Sequence, residues 1–274
     1  FASPASPPGT QNVIGASQST YCHTMKTHCD TIGRSVHVVN LDPAAEHFEY
    51  PVSFDVRDLV TVEDAMEELN LGPNGGLMYC MEFLEENLED WLADELEAYG
   101  EEDYLIFDCP GQIELYSHMS MFKNFVKYLQ NQAWSVCCVY MIDAQFVTDV
   151  PKFIAGTFQA LAAMVHLETP HINVLTKMDL MKDNPEVERF LVPDANDLMY
   201  LLGESTGPRF RRLNDAVSSV VDDLSLVSFV PLDTSDEESV ATALLHIDMA
   251  FQYGEDNEVK IKDYDPESED DEGE

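Results

Sequence analysis

The pattern that most constrains this chain is a series of short apolar runs, each stopping at a polar residue and each followed by a stretch with helical spacing. Tyr104–Phe107 ends at Asp108, Val136–Ile142 at Asp143, and Ile172–Leu175 at Thr176. Runs of this length without alternation read as strands buried on both faces. Strands alternating with helices predict an α/β architecture: a doubly wound, mostly parallel sheet flanked by helices. In such sheets ligands sit beyond the strands' carboxyl ends, where the polar residues fall.

Further strands are expected at Gln11–Gly15, Ser35–Leu41 and Leu226–Pro231, with a weaker candidate at Asp55–Val60. Ser19–Thr31 has helical spacing, with Tyr21, Met25 and Cys29 or His28 on one side and Gly33 as its stop. Thr61 can cap a short helix to Leu69, and a long helical pattern follows Gly76 through Met81, Leu84, Leu88 and Leu92 towards Tyr99. Other helices are expected at Ser120–Gln130, Pro151–Leu167, Asn184–Gly203, Pro208–Leu224 and Asp236–Tyr253. With 274 residues and 45% apolar content, one domain over 11–254 is expected. A disordered lead at 1–10 and a disordered acidic tail at 255–274 are expected to flank it.

The formal net charge is −38, and Glu255–Glu274 alone holds 11 acidic residues against 2 lysines. Such an excess repels phosphate backbones and anionic lipid, so no direct nucleic-acid or membrane partner is expected. Cys22, Cys29, Cys80, Cys109, Cys137 and Cys138 form no C-x-x-C pair, and reduced thiols in the cytosol or nucleus are the expected state. No secretory signal pattern stands at the N-terminus, and the apolar stretch Phe153–Val165 reads as a core helix.

Two strand ends carry chemistry. Asp108-Cys109-Pro110-Gly111 offers a carboxylate for Mg²⁺, usually through water, and a glycine whose N–H can approach a γ-phosphate. The same D-x-x-G spacing is also an ordinary strand–turn junction. At the second end stands Thr176-Lys177-Met178-Asp179. There Asp179 can accept two hydrogen bonds from guanine N1–H and its exocyclic amine, while the stem of Lys177 lies against the base. The plain alternative is an exposed lysine and a helix-capping Asp179. The two motifs lie about 70 residues apart, each directly after a strand. Asp42, in Asn40-Leu41-Asp42-Pro43-Ala44, can orient an attacking water or simply open an Asp-Pro turn.

The phosphate loop is irregular. The form G-x-x-x-x-G-K-[ST], counted back from Ser19, would put glycines at 12 and 17 and lysine at 18, where this chain has Asn12, Ser17 and Gln18. Only Gly15, Ser19 and Thr20 suit the setting. Glutamine for lysine removes a charge-assisted hydrogen bond worth roughly 1.5–3 kcal/mol. The loss should be felt most as the γ-phosphoryl leaves.

Together these residues resemble the GPN-loop GTPases from about Gln11 to Asp256, with Gly72-Pro73-Asn74 as the naming insertion. The likeness also takes in Val39–Glu46, Phe107–Leu115 and Ser235–Ser239. It implies a P-loop NTPase fold, GTP with Mg²⁺, and a homodimer or a heterodimer with sister family members. In that pairing Asn74 acts in the partner's nucleotide site. Ser19 and Asp108 would hold the metal, and Asp42 or Gln112 would position water. Gly15, Thr20 and Gly111 would line the phosphates, and Thr176, Lys177 and Asp179 would select guanine.

The implied role is assembly and nuclear import of RNA polymerase II and related polymerases, with polymerase subunits as partners. The implied location is the cytoplasm, with shuttling to the nucleus. The departure at Asn12–Gln18, about three residues short besides lacking lysine, leaves two readings open. The loop is degenerate, making the chain an impaired scaffold that pairs with an active paralogue, or the sequence is a fragment or a mis-joined exon.

Overall fold

The computed structural model describes residues 11–16, 19–100, 103–112, 115–116, 119–182, 184, 187–210, 212 and 227–253. The expected lead at 1–10 and the acidic tail at 255–274 lie outside them. Among the described residues seven parallel strands form one sheet: β1 (Gln11–Ala16), β2 (Val36–Asn40), β3 (Val52–Asp55), β4 (Tyr104–Cys109), β5 (Ser135–Asp143), β6 (His171–Thr176) and β7 (Phe229–Pro231). Their order is β3-β2-β4-β1-β5-β6-β7, with β1 in the middle and every pair parallel. The helices are α1 (Ser19–Thr31), α2 (Val62–Leu69), α3 (Pro73–Leu96), α4 (Met121–Asn131), α5 (Val150–Leu167), α6 (Glu188–Leu191), α7 (Ala195–Ser205) and α8 (Glu237–Ala250).

Residue alternation along the central strands divides the core in two. Leu105 and Phe107 of β4 pack with Leu84, Leu88 and Leu92 of α3 and with Phe122 and Phe125 of α4. Tyr104 and Ile106 point the other way, against Tyr21, Met25 and Cys29 of α1 and Leu244 and Ile247 of α8. Every residue of β4 is buried, as expected for a central parallel strand. A third cluster continues beneath β5–β7, where Ile142, Leu175 and Phe229 meet Phe153 and Leu161 of α5 and Leu198 of α7. By length and composition α5 could cross a membrane, but Phe153, Ile154, Ala160, Leu161 and Leu167 are buried within the protein.

Local chemistry explains where several elements begin and end. The Thr61 side chain accepts from the Asp64 N–H, and Gly33 takes a φ of 76° just beyond α1. Four expectations need correction. The strand expected at Asp55–Val60 instead ends at Asp55, because its carboxylate accepts the Arg57 N–H and starts a 3₁₀ turn, Val56–Asp58. The helix expected over Asn184–Gly203 is split into α6 and α7. Pro193 cannot continue a helix, and Asp194 caps the next one by accepting from Asp197 N–H. The long helix begins at Pro73 rather than after Gly76, with proline in the first-turn position that needs no N–H donor. Of Leu226–Pro231 only Phe229–Pro231 is strand, and Leu226 lies outside the described residues. In the helix expected at Pro208–Leu224, Pro208–Phe210 form a 3₁₀ turn, and most of the remainder lies outside the described residues.

Candidate nucleotide site

The parallel register sets the site's layout. Gly15 of β1 and Asn40 of β2 both pair with Asp108 of β4, so three strand ends meet in one row. On the other side, Gly15 aligns with Val139 of β5, while β5 and β6 run on to pair Asp143 with Thr176. The second row therefore lies four residues further along, about 13 Å at the usual strand rise.

Asp108 is 4% exposed, and the groups holding it are all neutral. The Tyr50 hydroxyl donates to its Oδ2 at 2.6 Å, and the Ser19 hydroxyl and Cys22 thiol lie beside it. Burial still pushes this carboxyl above the usual range, against the pull of those three groups. Asp42 is shifted the same way, first by burial and in part by the charge of Asp108. Its Oδ1 accepts the Ala44 N–H at 2.9 Å, so the turn-opening role is present. Asn40 steadies this corner. Its amide donates to the Asp42 carbonyl at 3.0 Å and to Asp55 at 2.8 Å, while its Oδ1 accepts the Asp42 N–H. Arg57 grips Asp55 and donates to the Ala45 carbonyl at 2.8 Å.

These oxygens suit a hard cation. Among the described residues no three His, Cys, Asp or Glu side chains converge on a metal position. A cation beside Ser19 and Asp108 would therefore complete its shell with phosphate and water oxygens, the usual habit of Mg²⁺. The phosphate end is less complete. β1 runs to Ala16, paired with Cys109, and α1 starts at Ser19, so only Ser17 and Gln18 separate them, both outside the described residues. Thr20 is exposed at the start of α1.

At the second row the sequence-predicted residues divide. Thr176 is buried, and its hydroxyl donates to the Ile142 carbonyl at 3.2 Å, facing the sheet and not the crevice. Lys177 takes a φ of 58° and its ammonium pairs with Asp143 at 2.7 Å. Asp179 is exposed in the 3₁₀ turn Met178–Met181, whose cap position belongs to Lys177, so its carboxylate is not spent on capping. The loop after β7 closes this side. Met178 N–H donates to the Leu232 carbonyl, and Asp233 pairs with Lys182 at 2.7 Å.

Gly111 and Gln112 are exposed on the turn after β4, where Tyr116 donates to the Pro110 carbonyl at 2.7 Å. Gly72, Pro73 and Asn74 are exposed at the head of α3. Asn74 is not among the groups holding Asp108 in its own chain. Sequence reading missed Tyr50, Asp143 and Asp233. Asp143 carried a signal, since it closes an apolar strand just as Asp108 does; Tyr50 carried none, since its partner is 58 residues away.

A family model described as a conserved hypothetical ATP binding protein matches residues 13–253. The GPN-loop GTPase 3 of Dictyostelium discoideum is 55% identical over 249 residues, covering 90% of this chain and 87% of that protein. The chain belongs to the GPN-loop GTPase family. The Danio rerio GPN-loop GTPase 3 is 49% identical over 255 residues, with 90% and 87% covered. The crystal structure of a GTPase in apo form from Pyrococcus abyssi superposes with a TM-score of 0.72 at 23% identity, covering 90% of this chain and 98% of that one. That likeness supports the P-loop NTPase α/β fold.

Proposed function

We propose that this family member binds GTP with Mg²⁺ and hydrolyses it, working as a dimer in the assembly and nuclear import of RNA polymerase II. The observation that carries the nucleotide reading is the pairing of two chemistries on one sheet edge. An all-oxygen cation corner at Ser19 and Asp108 lies one row below an exposed acceptor at Asp179. Asp179 would accept from guanine, and Lys177, held by Asp143, would lay its stem along the ring. Mg²⁺, when bound, neutralises charge on the phosphate oxygens. Asp42 or Gln112 would orient the attacking water, and Asn74 would reach the terminal phosphate of a partner subunit. The polymerase role, the dimer with itself or with sister family members, and a cytoplasmic location with shuttling to the nucleus rest on family likeness alone.

The phosphate loop favours a second reading, a scaffold that binds nucleotide weakly and turns over little, because Gln18 stands where a lysine is needed. Binding and turnover of GTP should be measured for this chain and for a version with a full glycine-rich loop and a lysine before Ser19. The hydrolase reading expects the repair to raise affinity by about 10- to 150-fold and turnover by more. It also expects Asp179→Ala to abolish the preference for GTP over inosine triphosphate, which lacks the exocyclic amine. No turnover in either version, with nucleotide still bound, would leave the scaffold reading.

A further inference from the structure

We infer that Tyr50 is a positioning residue of the cation corner: its hydroxyl holds the Asp108 carboxylate in place and ties it to the segment that carries Asp42. This rests on the Mg²⁺–nucleotide reading above. Tyr50 lies between β2 and β3, outside every motif, and is 4% exposed. Its ring packs near Phe48, with centroids 5.2 Å apart, and phenylalanine would fill that space as well. The hydroxyl therefore needs a different explanation.

That hydroxyl makes a 2.6 Å bond to a buried carboxylate, and the Ser19 side chain lies beside it. It thus touches both side chains assigned to the cation. A neutral donor suits this task better than an arginine, because it orients the carboxylate without cancelling the charge that attracts the metal. The contact is also the end of a line. Phe48 lies beneath the Arg57 guanidinium at 4.6 Å, Arg57 grips Asp55, and Asn40 bridges Asp55 to the backbone of Asp42. These contacts join the Asp108 corner to the residue placed to orient water.

The test compares the chain with Tyr50→Phe for binding of a fluorescent GDP derivative, in excess Mg²⁺ and in EDTA. The expected result is a gain in affinity from Mg²⁺ that shrinks about 10-fold in the variant, with EDTA affinities equal, as for loss of one hydrogen bond to a charged group. The Mg²⁺ concentration giving half the gain should rise in parallel. Equal losses in both buffers would make Tyr50 a packing residue, and no change in either would make its hydroxyl idle; each overturns the inference alone. Should Tyr50→Phe fold poorly, Tyr50→Met, which also lacks the hydroxyl, must show the same Mg²⁺-selective loss. Absence of binding by the unaltered chain in both buffers would instead overturn the nucleotide reading, and this inference with it.

Discussion

His171 opens β6 with both ring nitrogens buried and, among the described residues, without a hydrogen-bonding partner, although the Asn173 side chain lies beside it and Tyr140 stacks on its ring at 6.2 Å. Burial pushes its pKa down to about 4 from 6.5. The folded state thus resists a proton that the unfolded chain accepts readily. Stability from this residue is complete above the unfolded value and is lost as the pH falls from about 6.5 to about 4. The full swing is on the order of 3 kcal/mol. Urea denaturation at several pH values should show this slope in the unaltered chain and a flatter one in His171→Phe. An unchanged slope would mean that the ring gains a partner in solution.

Helices α2 and α3 form a close pair, and one position sets how close. A Cβ on Gly76 would lie 2.9 Å from Met66 Cγ and 3.2 Å from Val62 Cγ1, so the two helices touch where a side chain is missing. In sequence this glycine reads as the end of a turn, but in the fold it is a contact inside α3. The consequence reaches the site, because the same first turn carries Pro73 and Asn74. Gly76→Val should destabilise the protein by roughly 1–3 kcal/mol through overpacking, measurable as an earlier urea midpoint. A midpoint within error of the original would show that α2 shifts away freely.

A net charge of −38 makes self-repulsion a property of the whole molecule. Several of its cations already serve local pairs, such as Arg34 with Asp248 at 2.9 Å and Lys182 with Asp233. Added salt should screen repulsion among exposed carboxylates more than it weakens the partly buried Arg34–Asp248 pair. The melting temperature should therefore rise with NaCl, by roughly 2–4 °C for each kcal/mol of repulsion removed. A falling melting temperature would assign the larger share of stability to ion pairs.

The sequence by itself determined the α/β class, the strand-end motifs and most helix boundaries. Each of these depends on neighbours within a few residues: Asp108 ends an apolar run, Thr61 caps its own helix, and Gly33 stops another. Pro193 was equally legible as a helix break, though helical spacing on either side of it masked the signal. Only the tertiary structure decided which side chains hold those motifs in place. Tyr50 reaches Asp108, Asp143 holds Lys177 and Asp233 holds Lys182 across separations that no local pattern encodes. It also decided that the Thr176 hydroxyl faces inward and that Asp179 is exposed and not spent on capping. Side-chain direction at a strand's end depends on the neighbouring strand, and that neighbour is known only once the sheet order is.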